Sequence, residues 1–193
     1  MFTLAPAPDE YVVSIIATSF ASVALAEMGD RTQLLTLLLV ARFRKPWWIL
    51  AAIVCATLFN HFLAAWIGVE LSNYLTPEIM RWVVGIGFLL MAGWVLIPDK
   101  DNGEVKGGHP FWTSLVIFFI AEIGDKTQIA TTLLGARYDN VTLVMIGSTL
   151  GMIAANAPML WFGERLSPYM KSDWGHRAAA MVFAALGIIT LLW

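Results

Sequence analysis

Apolar residues run along the chain in long stretches, separated by short polar or proline-bearing segments. A bilayer core about 30 Å thick needs roughly 20 mainly apolar residues to cross it as a helix. Six stretches approach that length, over residues 12–41, 47–71, 80–97, 111–136, 141–163 and 176–193. The segments between them are Arg42 to Pro46, Asn73 to Pro77, Pro98 to Pro110, Tyr138 to Asn140 and Ser167 to Gly175. A spanning segment must satisfy its own backbone polar groups, so apolar stretches of this kind predict helices. The expected fold class is an all-α membrane protein of six transmembrane helices.

The polar residues inside these stretches recur. Residues 26–42, AEMGDRTQLLTLLLVAR, align without gaps on residues 121–137, AEIGDKTQIATTLLGAR, with 11 of 17 positions identical at an offset of 95. The same offset pairs Trp66 with Trp161, Gly68 with Gly163, Ser72 with Ser167 and Tyr74 with Tyr169. The expected division is a first three-helix repeat over 1–97, a central linker over 98–110 and a second three-helix repeat over 111–193. Three spans is an odd number, so the second copy enters the membrane inverted, the plan of many secondary transporters. A packing scaffold would preserve small and large residues at this offset, not Glu, Asp and Gln.

Composition narrows the function. The chain is 59% hydrophobic and 13% charged, against about 25% charged in soluble domains. A net charge of -2 without a basic stripe excludes nucleic acid as a partner. Cys55 is the single cysteine, which excludes an intramolecular disulfide and any CxxC motif. Asp9 and Glu10 stand where a secretory signal needs bases, so the first helix is expected to be retained. Placing both termini outside puts Arg42, Arg44, Lys45, Lys100, Lys106, Arg165, Lys171 and Arg177 in the cytoplasm and only Arg81 and Arg137 outside. The positive-inside rule favours that orientation. Tryptophans read mainly as interface anchors and lipid-facing bulk.

Each repeat carries two acids and a base inside an apolar stretch, at about 2.5–3.5 kcal/mol per charge at a helix centre. In a continuous helix Glu27, Asp30 and Gln33 share one face, as do Glu122, Asp125 and Gln128. If the two helices cross, four carboxylates and two amide oxygens converge, with the Thr32 and Thr127 hydroxyls beside them. This all-oxygen set suits manganese, calcium or magnesium; zinc and copper favour imidazole or thiolate. Gly29 and Gly124 precede the aspartates, either for close helix approach or for local unwinding that frees carbonyls. Arg31 and Lys126 stand four residues after Glu27 and Glu122, the favourable order for an internal ion pair. Asn60, His61 and Asn156 are further polar residues within spans; they could supply a ligand, a proton step or hydrogen bonds between helices. His61 and Asn156 correspond at the offset of 95.

At these motifs the chain resembles the GDT-type calcium/manganese cation-exchanger family, whose bacterial branch includes exporters of the MneA type for manganese. The family's mark is a doubled E-x-G-D-[KR]-[TS], present here as Glu27-Met28-Gly29-Asp30-Arg31-Thr32 and Glu122-Ile123-Gly124-Asp125-Lys126-Thr127. The resemblance implies export of manganese or calcium from the cytosol across a bacterial inner membrane, with the motif acids as ligands. No ATP-binding G-x-x-x-x-G-K-[ST] motif occurs, so a proton gradient is the expected driving force and no prosthetic group is expected. Competing readings are a passive divalent-cation channel, which would also use acidic residues, and an intramembrane aspartyl protease. A two-aspartate mechanism does not require the accompanying glutamate, base and glutamine.

Overall fold

The computed structural model describes residues 8–97, 107–166 and 174–192, with the side chains of Pro8 and of residues 164–166 left aside. Most of the 98–110 linker therefore lies outside the described residues. So do Lys100, Lys106 and Lys171, which entered the orientation argument, and the sixth predicted span is described to Leu192.

The fold is all-α. Eight helices occur among the described residues: α1 (Pro8–Glu27), α2 (Arg31–Phe43), α3 (Pro46–Tyr74), α4 (Pro77–Trp94), α5 (Pro110–Glu122), α6 (Lys126–Tyr138), α7 (Val141–Leu166) and α8 (Trp174–Leu192). The expected continuous helices over 12–41 and 111–136 are corrected by this result. Each is two helices meeting at the motif glycine, where Gly29 takes φ 83° and Gly124 φ 73°. That left-handed backbone cannot continue a right-handed helix. The choice between close approach and unwinding is settled at Gly124. A Cβ built there would meet nothing within 4 Å, so its backbone freedom, not its small size, is what the position uses.

Local chemistry sets the other boundaries. Pro46, Pro77 and Pro110 stand in the first turns of α3, α4 and α5, where the missing N–H costs nothing and φ is already helical. Thr76 caps α4 by accepting from Ile79 N at 3.4 Å. Helices α2 and α6 both end on a left-handed residue, Arg44 at φ 52° and Asp139 at φ 49°, and these two correspond at the offset of 95.

Among the described residues four helices are long and apolar enough to cross a membrane, over Asp9–Glu27, Pro46–Tyr74, Val141–Gly163 and Trp174–Leu192. With 13 residues, α5 is about 20 Å long at about 1.5 Å per residue, so it stops part-way through a bilayer. Large apolar side chains cover the outside, Trp47 at 71% exposure and Leu90 at 70% among them, as a lipid-facing surface requires. The chain is a multi-pass membrane protein.

Inside, α1 packs along α7, α3 along α6 and α5, and α4 along α8. Small residues permit these approaches, as membrane helices generally require. A Cβ on Gly135 would stand 2.5 Å from the Ala65 carbonyl oxygen, so α3 and α6 touch backbone to backbone. Phe88 of α4 stacks on Phe183 of α8, centroids 6.2 Å apart.

Candidate cation site

The two helix breaks are built by the same hydrogen bonds. Asp30 and Asp125 are the N-caps of α2 and α6, each accepting from the threonine N–H two residues on at 3.4 Å. An N-cap oxygen satisfies a donor that the first helical turn leaves unused. Gln33 Oε1 accepts from Gly29 N at 2.8 Å, and Gln128 Oε1 from Gly124 N at 2.6 Å. The two amide oxygens expected as cation ligands thus clamp the breaks, and the Gln33 amide nitrogen also donates to the Ala155 carbonyl of α7 at 2.9 Å. Opening a helix at Gly29 and Gly124 presents the positive ends of α2 and α6 to the motif carboxylates.

The fold then brings both breaks together. Glu27, Asp30 and Asp125 each offer a carboxylate oxygen, and these oxygens lie within 4.8 Å of one another, all three residues buried. An oxygen-ligated divalent ion such as calcium sits about 2.3–2.6 Å from its ligands, so one ion can bridge oxygens at this spacing. Glu122 is outside this close set of three. It is 1% exposed and its Oε2 accepts from Thr127 Oγ1 at 3.2 Å, while its charge remains within electrostatic reach of Asp30 and Asp125. Glu27 Oε2, Glu122 Oε1 and Thr32 Oγ1 are buried without a hydrogen-bond partner among the described residues. Unpartnered buried oxygens at an acidic cluster are what a cation would satisfy.

The bases sit differently from the expected i,i+4 pairs. Arg31 Nη2 reaches the other repeat, 2.6 Å from the Ala121 carbonyl and 3.3 Å from Asp125 Oδ1. Lys126 Nζ donates to the Ile97 carbonyl just beyond α4 at 2.8 Å. The rule for neighbours four apart assumes a continuous helix, and the glycine break removes that premise.

Of the other polar residues, Asn156 enters the site. Its Nδ2 donates to Glu27 Oε1 at 3.0 Å, and its Oδ1 accepts from Thr36 Oγ1 at 3.0 Å. Asn60 instead donates to the Phe119 carbonyl at 3.2 Å, a bond between α3 and α5. His61, 1% exposed, has no hydrogen-bond partner for either ring nitrogen among the described residues. Sequence reasoning did not single out Thr36, Ser19 or Ser114, all fully buried. The available signal was the offset of 95, which pairs Ser19 with Ser114 and Thr36 with Thr131.

The profile of the family described as "Divalent cation/proton antiporter GDT1" matches the chain twice, over residues 15–103 and 110–193. The chain belongs to this divalent cation/proton antiporter family. Its two matches begin 95 residues apart, the offset of the repeat, and each contains one helix break. A protein of Vibrio cholerae serotype O1 named "Putative manganese exporter" is 50% identical over 188 residues, covering 96% of this chain and 94% of the relative. No solved structure matches at a significant level. Family membership makes the chain a transport protein and not an enzyme, so the aspartyl protease reading falls away.

Proposed function

We propose that the chain exports a divalent cation from the cytosol, manganese first and calcium second, in exchange for protons at one site shared by the two motifs. The observation that carries this reading is the set of three buried carboxylates, Glu27, Asp30 and Asp125, drawn from both repeats and meeting at two helix breaks. The family description and the name of the Vibrio cholerae relative support the cargo and the counter-ion. Glu122, with Thr32 and Thr127, completes the oxygen-rich surroundings. Gln33 and Gln128 act mainly by holding the breaks open.

The architecture in this reading is six spans in two inverted three-helix repeats, α1 with α2 and α5 with α6 each making one broken span. Several relationships support it. Phe88 and Phe183 correspond at the offset of 95 and stack on each other, as residues beside a two-fold axis would. Packing is also paired: α1 on α7 answers α5 on α3, and α3 on α6 answers α7 on α2. Both termini lie outside the cytoplasm of a bacterial inner membrane.

Moving a divalent cation out of a negative-inside cell costs about 2 × 2.3 kcal/mol per 100 mV. Two entering protons cancel that charge movement, and carboxylates that hold metal or protons alternately can couple the two fluxes. In proteoliposomes a proton gradient should drive manganese accumulation against its own gradient. Uphill transport that survives collapse of the proton gradient, yet stops without sodium, would replace proton exchange by sodium exchange. Manganese flux that only ever runs downhill would make the protein a channel.

A further inference from the structure

Arg31 and Lys126 hold the same place in their repeats, one residue after the capping aspartate, with nearly the same backbone before them: φ -76° at Asp30 and -73° at Asp125. Their surroundings nevertheless differ. Arg31 bridges to the Ala121 carbonyl and to Asp125, and its side chain keeps 37% exposure. Lys126 is 1% exposed and reaches the Ile97 carbonyl at the end of α4. A guanidinium is not left facing hydrocarbon, so the exposed part of Arg31 marks a mouth open to water. Lys126 marks the closed side.

Since the local backbone is alike, the difference belongs to how the two halves sit together. Inverted repeats alternate by exchanging their two arrangements around a fixed site. Applying the offset of 95 to each observed contact gives the opposite arrangement. Lys126 would then meet the Ala26 carbonyl and Asp30, and Arg31 would meet the Leu192 carbonyl at the end of α8.

We propose that Arg31 and Lys126 exchange these positions in each transport cycle, the base on the open side pairing with the other repeat's aspartate and the base on the closed side withdrawing. Arg31 thereby acts as a tethered counter-cation that an incoming divalent ion must displace from Asp125. Its release unties the two breaks and permits the halves to rearrange. Both bases are positioning residues, because they act through Asp30 and Asp125. This inference rests on the inverted-repeat transporter reading above.

Single cysteines at positions 31 and 126, in Cys55→Ala protein of known orientation in proteoliposomes, test the exchange with a membrane-impermeant thiol reagent. Position 31 should label from one face and position 126 from the other. In a second measurement, Arg31→Gln and Lys126→Gln should each bind manganese a few-fold more tightly while turnover falls about tenfold, with Arg31→Lys and Lys126→Arg restoring turnover. Loss of any nearby positive charge favours cation binding, so the decisive readouts are the fall in turnover, its rescue by the conservative base and labelling from opposite faces. Labelling of both positions from the same face, while wild-type protein still accumulates manganese uphill, would overturn the exchange and leave the transporter reading standing. Absence of uphill accumulation by the wild type would remove both.

Discussion

Asn156 holds Glu27 across 129 residues of chain, its amide nitrogen 3.0 Å from Oε1. The same side chain is itself fixed by Thr36 and by the Met152 carbonyl, so α7 sets the orientation of an acid at the end of α1. Asn156→Ala should leave Glu27 buried with one partner fewer, at about 1–3 kcal/mol. The expected result is manganese binding weakened by roughly tenfold, measured by titration calorimetry on purified protein. Unaltered affinity would show that Asn156 does not position the site.

Neutralising the acids separates charge from folding. Asn caps helices as well as Asp does, so Asp30→Asn and Asp125→Asn should preserve the breaks while losing a carboxylate. These two variants, with Glu27→Gln and Glu122→Gln, are expected to express normally and to lose at least about tenfold in manganese transport, equivalent to about 1.4 kcal/mol or more. Asp30→Ala and Asp125→Ala lose the cap as well and should also melt earlier. Normal manganese and calcium transport by any three of the four charge-neutral variants would sink the shared site.

The helix breaks should respond to backbone chemistry. Gly124→Ala has free space around its new methyl group, so its cost comes from the left-handed φ of 73°, about 1–2 kcal/mol. Gly124→Asn should cost less, because Asn tolerates that region. Gln128→Leu removes the acceptor for the Gly124 N–H and should destabilise by a similar amount. Thermal melting in detergent gives the ranking, and a Gly124→Ala protein as stable as wild type would refute a conformational role.

Orientation is open to direct labelling. Cysteines at Ala7 and Lys100, placed one at a time in Cys55→Ala protein, are expected to react from opposite sides of the cell membrane, Ala7 from outside. Labelling of Lys100 from outside with Ala7 protected would reverse the assignment.

Helical class, membrane residence, the repeat and the acidic motifs were all legible in the chain before any fold was known. Each depends on short-range or compositional physics: apolar length against bilayer thickness, and charges too costly to keep in lipid without a use. The offset of 95 carried further than expected, since it also relates the turns at Arg44 and Asp139 and the contact of Phe88 with Phe183.

Tertiary structure alone decided which groups meet. A glycine inside an apolar run is compatible with an intact helix. The breaks are held by local bonds from the glycine N–H groups to Gln33 and Gln128 four residues on, and the first is tied to the rest of the fold by the Gln33 bond to the Ala155 carbonyl. Once the helix is broken, spacing along it no longer predicts neighbours. Arg31 therefore leaves Glu27 for Asp125, and Glu27, Asp30 and Asp125 gather while Glu122 borders them, with Thr127 Oγ1 between it and Asp125. The two motifs are closely alike in sequence, yet Arg31 pairs with Asp125 while Lys126 reaches the Ile97 carbonyl. Which acid, base and amide lie on each side is set by packing between the halves, an interaction no local stretch of sequence encodes.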